Sequence, residues 1–295
     1  MEFDLSGEPR PGPSPEGAYL SCISCGEHYP PFGEALQRCE ECAGLLEVRY
    51  DSYSSLSEFD GEGVWRYSKV LPDVERISLQ EGDTPLISSS ALADELDVDS
   101  LHVKHEGLNP TGSFKDRGMT VGISVARNTD QDMVVCASTG NTSASLASYS
   151  ARANLECVVL LPKGNVARGK VAQAALHDAT ICEIKGNFDQ CLDIAAEMSG
   201  RGDAYILNSL NPHRLEGQKS IGYEILEECL EMNGSFPDRI VLPAGNAGNV
   251  AALYKCFREL KTATNAEIED YPSIVAIQAA GAAPLVDAIK SGEDA

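Results

Sequence analysis

The chain has 295 residues, 43% of them hydrophobic, with 45 acidic against 23 basic residues and a formal net charge of −22. That length suits two domains, or one domain plus a small module. The acidic balance repels nucleic acid and anionic membranes, which excludes both as partners, and no apolar run approaches the ~20 residues needed to span a bilayer. Residues 1–17, "MEFDLSGEPRPGPSPEG", are acidic and rich in Pro and Gly and read as a mobile tail. They lack the basic start and apolar stretch of a signal peptide, so the expected location is cytoplasmic. So acidic a surface is that of a halophilic protein, whose self-repulsion is screened within ~3 Å at 1 M salt, or simply of an acidic soluble one.

Residues 18–50 carry "CISC" (Cys22, Cys25) and "CEEC" (Cys39, Cys42). Each pair has a glycine nearby, and four thiolates in this pattern suit a tetrahedral Zn2+ in a zinc-ribbon-like module. The gap between the pairs is slightly shorter than the usual ribbon spacing. Disulfides or a redox pair are the rivals, but no βαβ context surrounds either pair, and a reducing compartment disfavours disulfides. Such a zinc would be structural, because four thiolates leave no open coordination position. The other six of the ten cysteines are scattered through apolar or amphipathic segments, where free cysteine behaves as a small hydrophobe.

From about residue 61 the pattern changes. In "HEGLNPTGSFKDRG" (105–118), Ser113 reads as the N-cap of an amphipathic helix over Asp116 to Arg127, which puts Lys115 in its first turn. A charged ammonium is disfavoured there by the helix dipole, whereas a lysine that works as a neutral amine is not. Exposed lysines in first turns are nonetheless common. Strand-like runs follow at 133–137, 157–162, 180–186, 204–209, 239–244 and 273–279, with helical runs at 143–153, 166–176, 188–200, 214–232 and 249–260 between them. This alternation predicts an α/β protein with largely parallel sheets, whose ligands sit at the carboxyl ends of the strands.

Three strand ends carry polar loops: "STGNTSAS" (138–145), "LNPHRLEGQKS" (210–220) and "GNAGN" (245–249). Each alone has an ordinary reading as a turn or a capped helix start. Together with Lys115 they supply an amine, a phosphate cradle and a polar ring partner, the three things pyridoxal phosphate needs. Neither GxGxxG nor GxxxxGKS, the usual nucleotide signatures, is present.

"KHEGLNPTGSFKDRG", "STGNTSAS", "NSLNPHRLEGQKS", "LPAGNAGN" and "EGDTPL" (81–86) together resemble the threonine synthases, a family of the pyridoxal 5'-phosphate group that includes the tryptophan synthase β-subunit. The likeness covers about residues 79–290. It implies a two-lobed catalytic region over 61–295, with a small lobe at about 120–208 and the cofactor between the lobes. It implies that Lys115 is the Schiff-base and catalytic lysine, that Phe114 packs near the ring and that Asn141 faces the ring oxygen. Gly245, Asn246, Ala247, Gly248 and Asn249 match the cofactor phosphate loop. Ser138 and Thr142 match the substrate loop, and Asn208 and Arg214 match the pair near the substrate phosphate. An ion pair between Arg214 and Glu216 or a neighbour is the structural alternative.

The implied reaction converts O-phosphohomoserine, a small-molecule substrate, and water to threonine and phosphate. A homodimer is open as the assembly. The chain departs from the family at "KSGEDA", tens of residues before the family's fold normally finishes, and the resemblance leads us to expect that the part supplying the residue that meets the pyridine nitrogen lies outside this sequence. Two alternatives stand beside this reading. One is another amino-acid lyase of the group, threonine dehydratase or cysteate synthase. The other is a truncated, non-catalytic relic.

Overall fold

The computed structural model describes residues 17–32, 36–129, 131–164, 168–264 and 270–292; of the expected tail at 1–17, all but Gly17 lies outside them. Strands β1 (Ala18–Cys22), β2 (His28–Tyr29) and β3 (Leu46–Tyr50) form an antiparallel sheet in the order β2-β1-β3. β3 alternates buried and half-buried residues, as a strand with one packed face does. Leu20, Leu46, Val48 and Tyr50 give this small module an apolar core of its own.

Two 3-10 turns (Leu56–Glu58, Val64–Val70) lead to β4 (Leu86–Ser88), α1 (Ser90–Leu96) and β5 (His102–Lys104). β4 and β5 pair antiparallel. Sequence patterning does not reveal this pair, because strands of three residues are too short for alternation to register.

Helix α2 (Lys115–Asn128) departs from the amphipathic expectation: every residue from Asp116 to Ala126 is buried. The polar residues that suggested a solvent face have partners inside. Thr120 and Ser124 donate to the carbonyls of Ile77 and Thr120, and Arg117 sits in a web of acceptors. Next come β6 (Met133–Ala137), α3 (Asn141–Ala153), β7 (Glu156–Pro162), α4 (Arg168–Ala175), β8 (Thr180–Ile184), α5 (Phe188–Gly200) and β9 (Tyr205–Ile206). Their strands make a parallel sheet in the order β8-β7-β6-β9. Then come α6 (Pro212–Asn233), β10 (Arg239–Pro243), α7 (Gly248–Ala263), β11 (Ser273–Ile277) and α8 (Pro284–Ser291), with β10 and β11 paired in parallel.

The architecture is therefore α/β. Strand ends agree with the sequence reading to within two residues, except that β9 stops at Ile206 and not at 209. There a side chain takes over from the backbone: Asn208 Oδ1 accepts from Ala137 N–H at 3.0 Å and its Nδ2 donates to the Ala137 carbonyl at 2.9 Å. α2 crosses α6 closely. A Cβ on Gly217 would stand 1.7 Å from the Arg117 carbonyl oxygen, so only glycine permits the crossing. Among the described residues no helix is long and apolar enough to cross a membrane.

Candidate active site

Three helices, α2 behind the Lys115 motif and α3 and α7 at two of the polar loops, begin without a side-chain cap. α2 starts at Lys115 behind Phe114, α3 at Asn141 behind Gly140, and α7 at Gly248 behind Ala247. α5 and α6, by contrast, are capped by Asn187 and Asn211. First-turn N–H groups left without a cap are what receives an anion or a polar ligand. Ser113 is not the cap expected for α2. Phe114 holds that position at φ −59°, and the Ser113 hydroxyl reaches only the Lys115 N–H, at 3.4 Å.

Packing brings these starts to one side of the molecule. Ser145, one turn into α3 from Asn141, donates to Asp116 Oδ1 at 2.5 Å. Thr111 secures the same carboxylate through its N–H at 2.7 Å and its hydroxyl at 2.6 Å. Gln218 of α6 lies against both Gly118 of α2 and Gly248 of α7. Phe114, like Val250, packs on the cluster that includes Ile221, Leu242 and Leu253. Asn246 Nδ2 donates to the Ser209 hydroxyl at 3.4 Å, which joins the "GNAGN" loop to the end of β9.

Within this setting Lys115 is half-buried, with Nζ 4.0 Å from the centroid of the Phe114 ring. Burial, and then the charge of Arg214, lower its amine to about 8. Asn141 is exposed, and Ser138 and Thr142 are half-buried; the Ser138 hydroxyl accepts from the Gly140 N–H at 3.2 Å. Gly245 and Asn246 are exposed. Ala247 takes the left-handed conformation, φ 55°, that turns the loop into α7. The buried Asn249 Oδ1 has no hydrogen-bond partner among the described residues. Asn208 is buried and tied to Ala137, which leaves the second proton of its amide for a ligand.

Arg214 is 2% exposed. Its guanidinium donates to the Leu207 carbonyl at 3.3 Å, its Nε has no partner, and among the described residues no carboxylate pairs with it. Burial lowers it to about 10. The alternative ion pair with Glu216 is not formed: Glu216 pairs with Lys219 at 2.7 Å and Lys255 at 3.0 Å and accepts from the Tyr50 hydroxyl.

Sequence reasoning missed what holds this side together. Arg117, fully buried, pairs with Glu106 at 2.7 Å and Glu224 at 2.5 Å, and Lys104 pairs with Glu224 and Glu228. Glu81 and Thr84 of "EGDTPL" belong to the same scaffold, receiving the Tyr149 hydroxyl and donating to Glu106 respectively. Ser209, beside Asn208, was also overlooked. Its position at a strand end within "NSLNP" was the available signal.

The four cysteines of the module form a second constellation. Their sulfurs all lie within 4.8 Å of one another, and none is in a disulfide. The Ser24 N–H points to the Cys22 sulfur at 3.4 Å, and Tyr29 Oη lies 3.1 Å from that of Cys39.

Residues 77–295 match the family described as pyridoxal-phosphate dependent enzymes. The threonine synthase of Methanosarcina acetivorans is 49% identical, over 94% of this chain and 68% of that protein. That of Methanocaldococcus jannaschii is 47% identical, over 91% of this chain and 67% of that protein. The diaminopropionate ammonia lyase of Escherichia coli shares the fold, with a TM-score of 0.64 at 15% identity over 73% of this chain and 61% of that one. The chain thus spans about two thirds of the length of these curated relatives.

Proposed function

The chain belongs to the pyridoxal-phosphate-dependent enzymes and, among them, to the threonine synthases, and from that membership we propose that its cleft converts O-phosphohomoserine and water to L-threonine and phosphate. The residues suit the cofactor. Lys115 would hold it, Phe114 and Asn141 would flank its ring, and the loop from Gly245 to Asn249, with the uncapped start of α7, would take its phosphate. When bound, the cofactor supplies a covalent anchor for the substrate amine and a sink for the electrons left when carbon loses a proton.

The chain's own groups account for the remaining chemistry. Lys115, lowered to about 8, has a substantial neutral fraction near neutral pH and carries protons to and from the substrate Cα and Cβ. Arg214 grips the substrate phosphate with two parallel hydrogen bonds and steadies it as it departs from Cγ. The spare amide proton of Asn208 assists, and Ser138 and Thr142 offer hydroxyls to the rest of the substrate.

The observation that carries the reading is Arg214: a buried cation beside Lys115, with no carboxylate of its own among the described residues. A phosphorylated substrate completes it, whereas threonine, the substrate of a dehydratase, does not. The test is turnover of O-phosphohomoserine beside cofactor occupancy. Arg214→Ala should lose turnover about a hundredfold or more, as expected when a charge-assisted pair is removed, with occupancy kept. Release of ammonia and 2-oxobutanoate from threonine, without use of O-phosphohomoserine, would make it a dehydratase instead.

The four-cysteine cluster supports a structural zinc. A tetrahedron with Zn–S bonds of about 2.3 Å has sulfurs about 3.8 Å apart, close to the spacing here. We accordingly divide the chain into a zinc-ribbon-like module at 18–50 and a catalytic region at 61–295 with a small lobe at about 120–208. The parallel β6–β9 sheet supports that lobe. The net charge of −22 supports a halophilic, cytoplasmic setting.

A further inference from the structure

We propose that the N-terminal four-cysteine module positions the substrate-phosphate site, acting through Pro31, Gln37 and His213. The idea rests on the reading of Arg214 and Asn208 as the phosphate-binding pair. Those residues bracket a tight segment, 208–214, between β9 and the first turn of α6. Asn211 caps that turn, accepting from the Arg214 N–H at 3.2 Å while its Nδ2 donates to the Ile206 carbonyl at 3.1 Å.

The module holds this segment at His213 and holds the end of β9 just before it. Gln37 Nε2 donates to the Ile206 carbonyl at 3.4 Å, the acceptor that Asn211 also uses. His213, 4% exposed and next in the chain to Arg214, has its Nε2 2.9 Å from the Pro31 carbonyl and its Nδ1 3.0 Å from the Tyr205 hydroxyl. A carbonyl only accepts, so Nε2 carries the proton and Nδ1 accepts from Tyr205. The neutral imidazole in that one tautomer meets both partners, and burial, which lowers its pKa to about 4, keeps it neutral. Phe32 stacks on the ring at 6.2 Å and 21°. A single side chain thereby joins β9, α6 and the module beside Arg214.

Pro31, Phe32 and Gln37 all lie between the two cysteine pairs. The sulfurs of Cys25 and Cys39 stand 3.5 Å apart, so the chain that leads to Pro31 and the chain that follows Gln37 both meet the cysteine cluster. Order in that cluster is thus transmitted to the turn that aims Arg214. Among the described residues His213 and Gln37 form no hydrogen bond with the cofactor loop or with Lys115, and they act as positioning residues.

The test uses cofactor-loaded protein prepared under reducing conditions with His213→Phe, which keeps a ring and loses both hydrogen bonds. His213→Gln, which can restore a donor toward Pro31, is the conservative rescue. Two quantities are read: KM and kcat for O-phosphohomoserine, and the affinity for inorganic phosphate by calorimetry, with the cofactor's own phosphate site filled. His213→Phe should weaken phosphate binding and raise KM about tenfold, the worth of one or two hydrogen bonds, while kcat stays within about threefold and cofactor occupancy holds. His213→Gln should recover most of the loss. Cys39→Ser should weaken phosphate binding similarly in the wild-type background but add little to His213→Phe, because the two act along one path. Unchanged phosphate affinity in His213→Phe, or full additivity with Cys39→Ser, overturns the proposal. Phosphate affinity that depends on His213 in a protein that ignores O-phosphohomoserine sinks the substrate assignment and sustains the positioning role.

Discussion

Ser145 donates to Asp116 at 2.5 Å, and this contact ties the helix that opens on Lys115 to the helix that opens on Asn141. Asp116 is fully buried and takes two further bonds from Thr111. Burial raises its carboxyl, against the pull of those donors. Ser145→Ala removes one donor from a buried carboxylate, so it should cost about 1–3 kcal/mol in urea melts. It should also weaken cofactor binding, and turnover with it, because it loosens Asn141 relative to Lys115. A stability change below about 0.5 kcal/mol, the size of an ordinary surface substitution, would mean that Thr111 suffices.

Lys115 should react with pyridoxal phosphate in a pH-dependent way. The neutral amine is the reactive form, so loading of cofactor-free protein should rise through about pH 8 and level off above it. Borohydride reduction should then fix the cofactor on the peptide that contains Lys115. A midpoint near the ordinary ~10.4, or a label on another lysine, would remove the assignment.

Glu224 sets an acid limit on stability. Burial alone would raise its carboxyl, yet the charges of Arg117 and Lys104 hold it at about 2, below its ordinary 4.5. A carboxyl lowered in the folded state stabilises fully above its unfolded pKa. That contribution fades as pH falls from about 4.5 toward about 2. Glu224→Gln leaves Arg117 with half its compensation and should cost on the order of 3–5 kcal/mol at pH 7. The difference between variant and wild type should narrow at pH 3. Chemical denaturation at both pH values checks this, and a pH-independent difference contradicts it.

Protein prepared under reducing conditions should contain one zinc per chain. Cys39→Ser should release it and lower the melting temperature, with the loss concentrated in the module. Metal analysis that finds no zinc would leave the four thiols as a reduced cluster without a metal role.

With a net charge of −22, Tm should climb between 0.1 M and 2 M KCl as the Debye length falls from ~10 Å to below ~3 Å and self-repulsion is screened. A Tm that is flat or falls with salt argues for an ordinary acidic protein.

Much of the fold is written locally. "MVVCA" yields β6 residue for residue, because a run of apolar and β-branched residues between turn signals has one stable use. β9 was over-read because Asn208 continues the pairing by side chain, which no backbone propensity records. The α2 sequence reads as amphipathic because its polar residues suggest exposure, whereas the fold buries them. Its Arg117 finds Glu224 across 107 residues of chain, and such a pairing leaves no local trace. The site followed the same rule. Lys115 stood out through its place at a helix start, and the cysteine pairs through their spacing. Ser209 and the Glu106–Arg117–Glu224 web carry no spacing signal. Arg214 was legible as a residue, but that it escapes Glu216 depends on Lys219, Lys255 and Tyr50 drawing that carboxylate away.

The seam between module and body also imposes an order in time. Lys255 reaches back 207 residues to the Val48 carbonyl, and Arg258 reaches back 211 to Glu47. The cysteine pairs, by contrast, close across as few as 14 residues, from Cys25 to Cys39. On a ribosome adding about 5–20 residues per second, the module's own sheet can form as soon as it emerges, but its docking surface waits about 10–40 s for α7. During that interval the Val48 carbonyl, the Glu47 carboxylate and the Tyr50 hydroxyl wait without the partners that α6 and α7 supply. Zinc held on the four thiols, as proposed above, would keep the early-born module in register until the partner helix has been made.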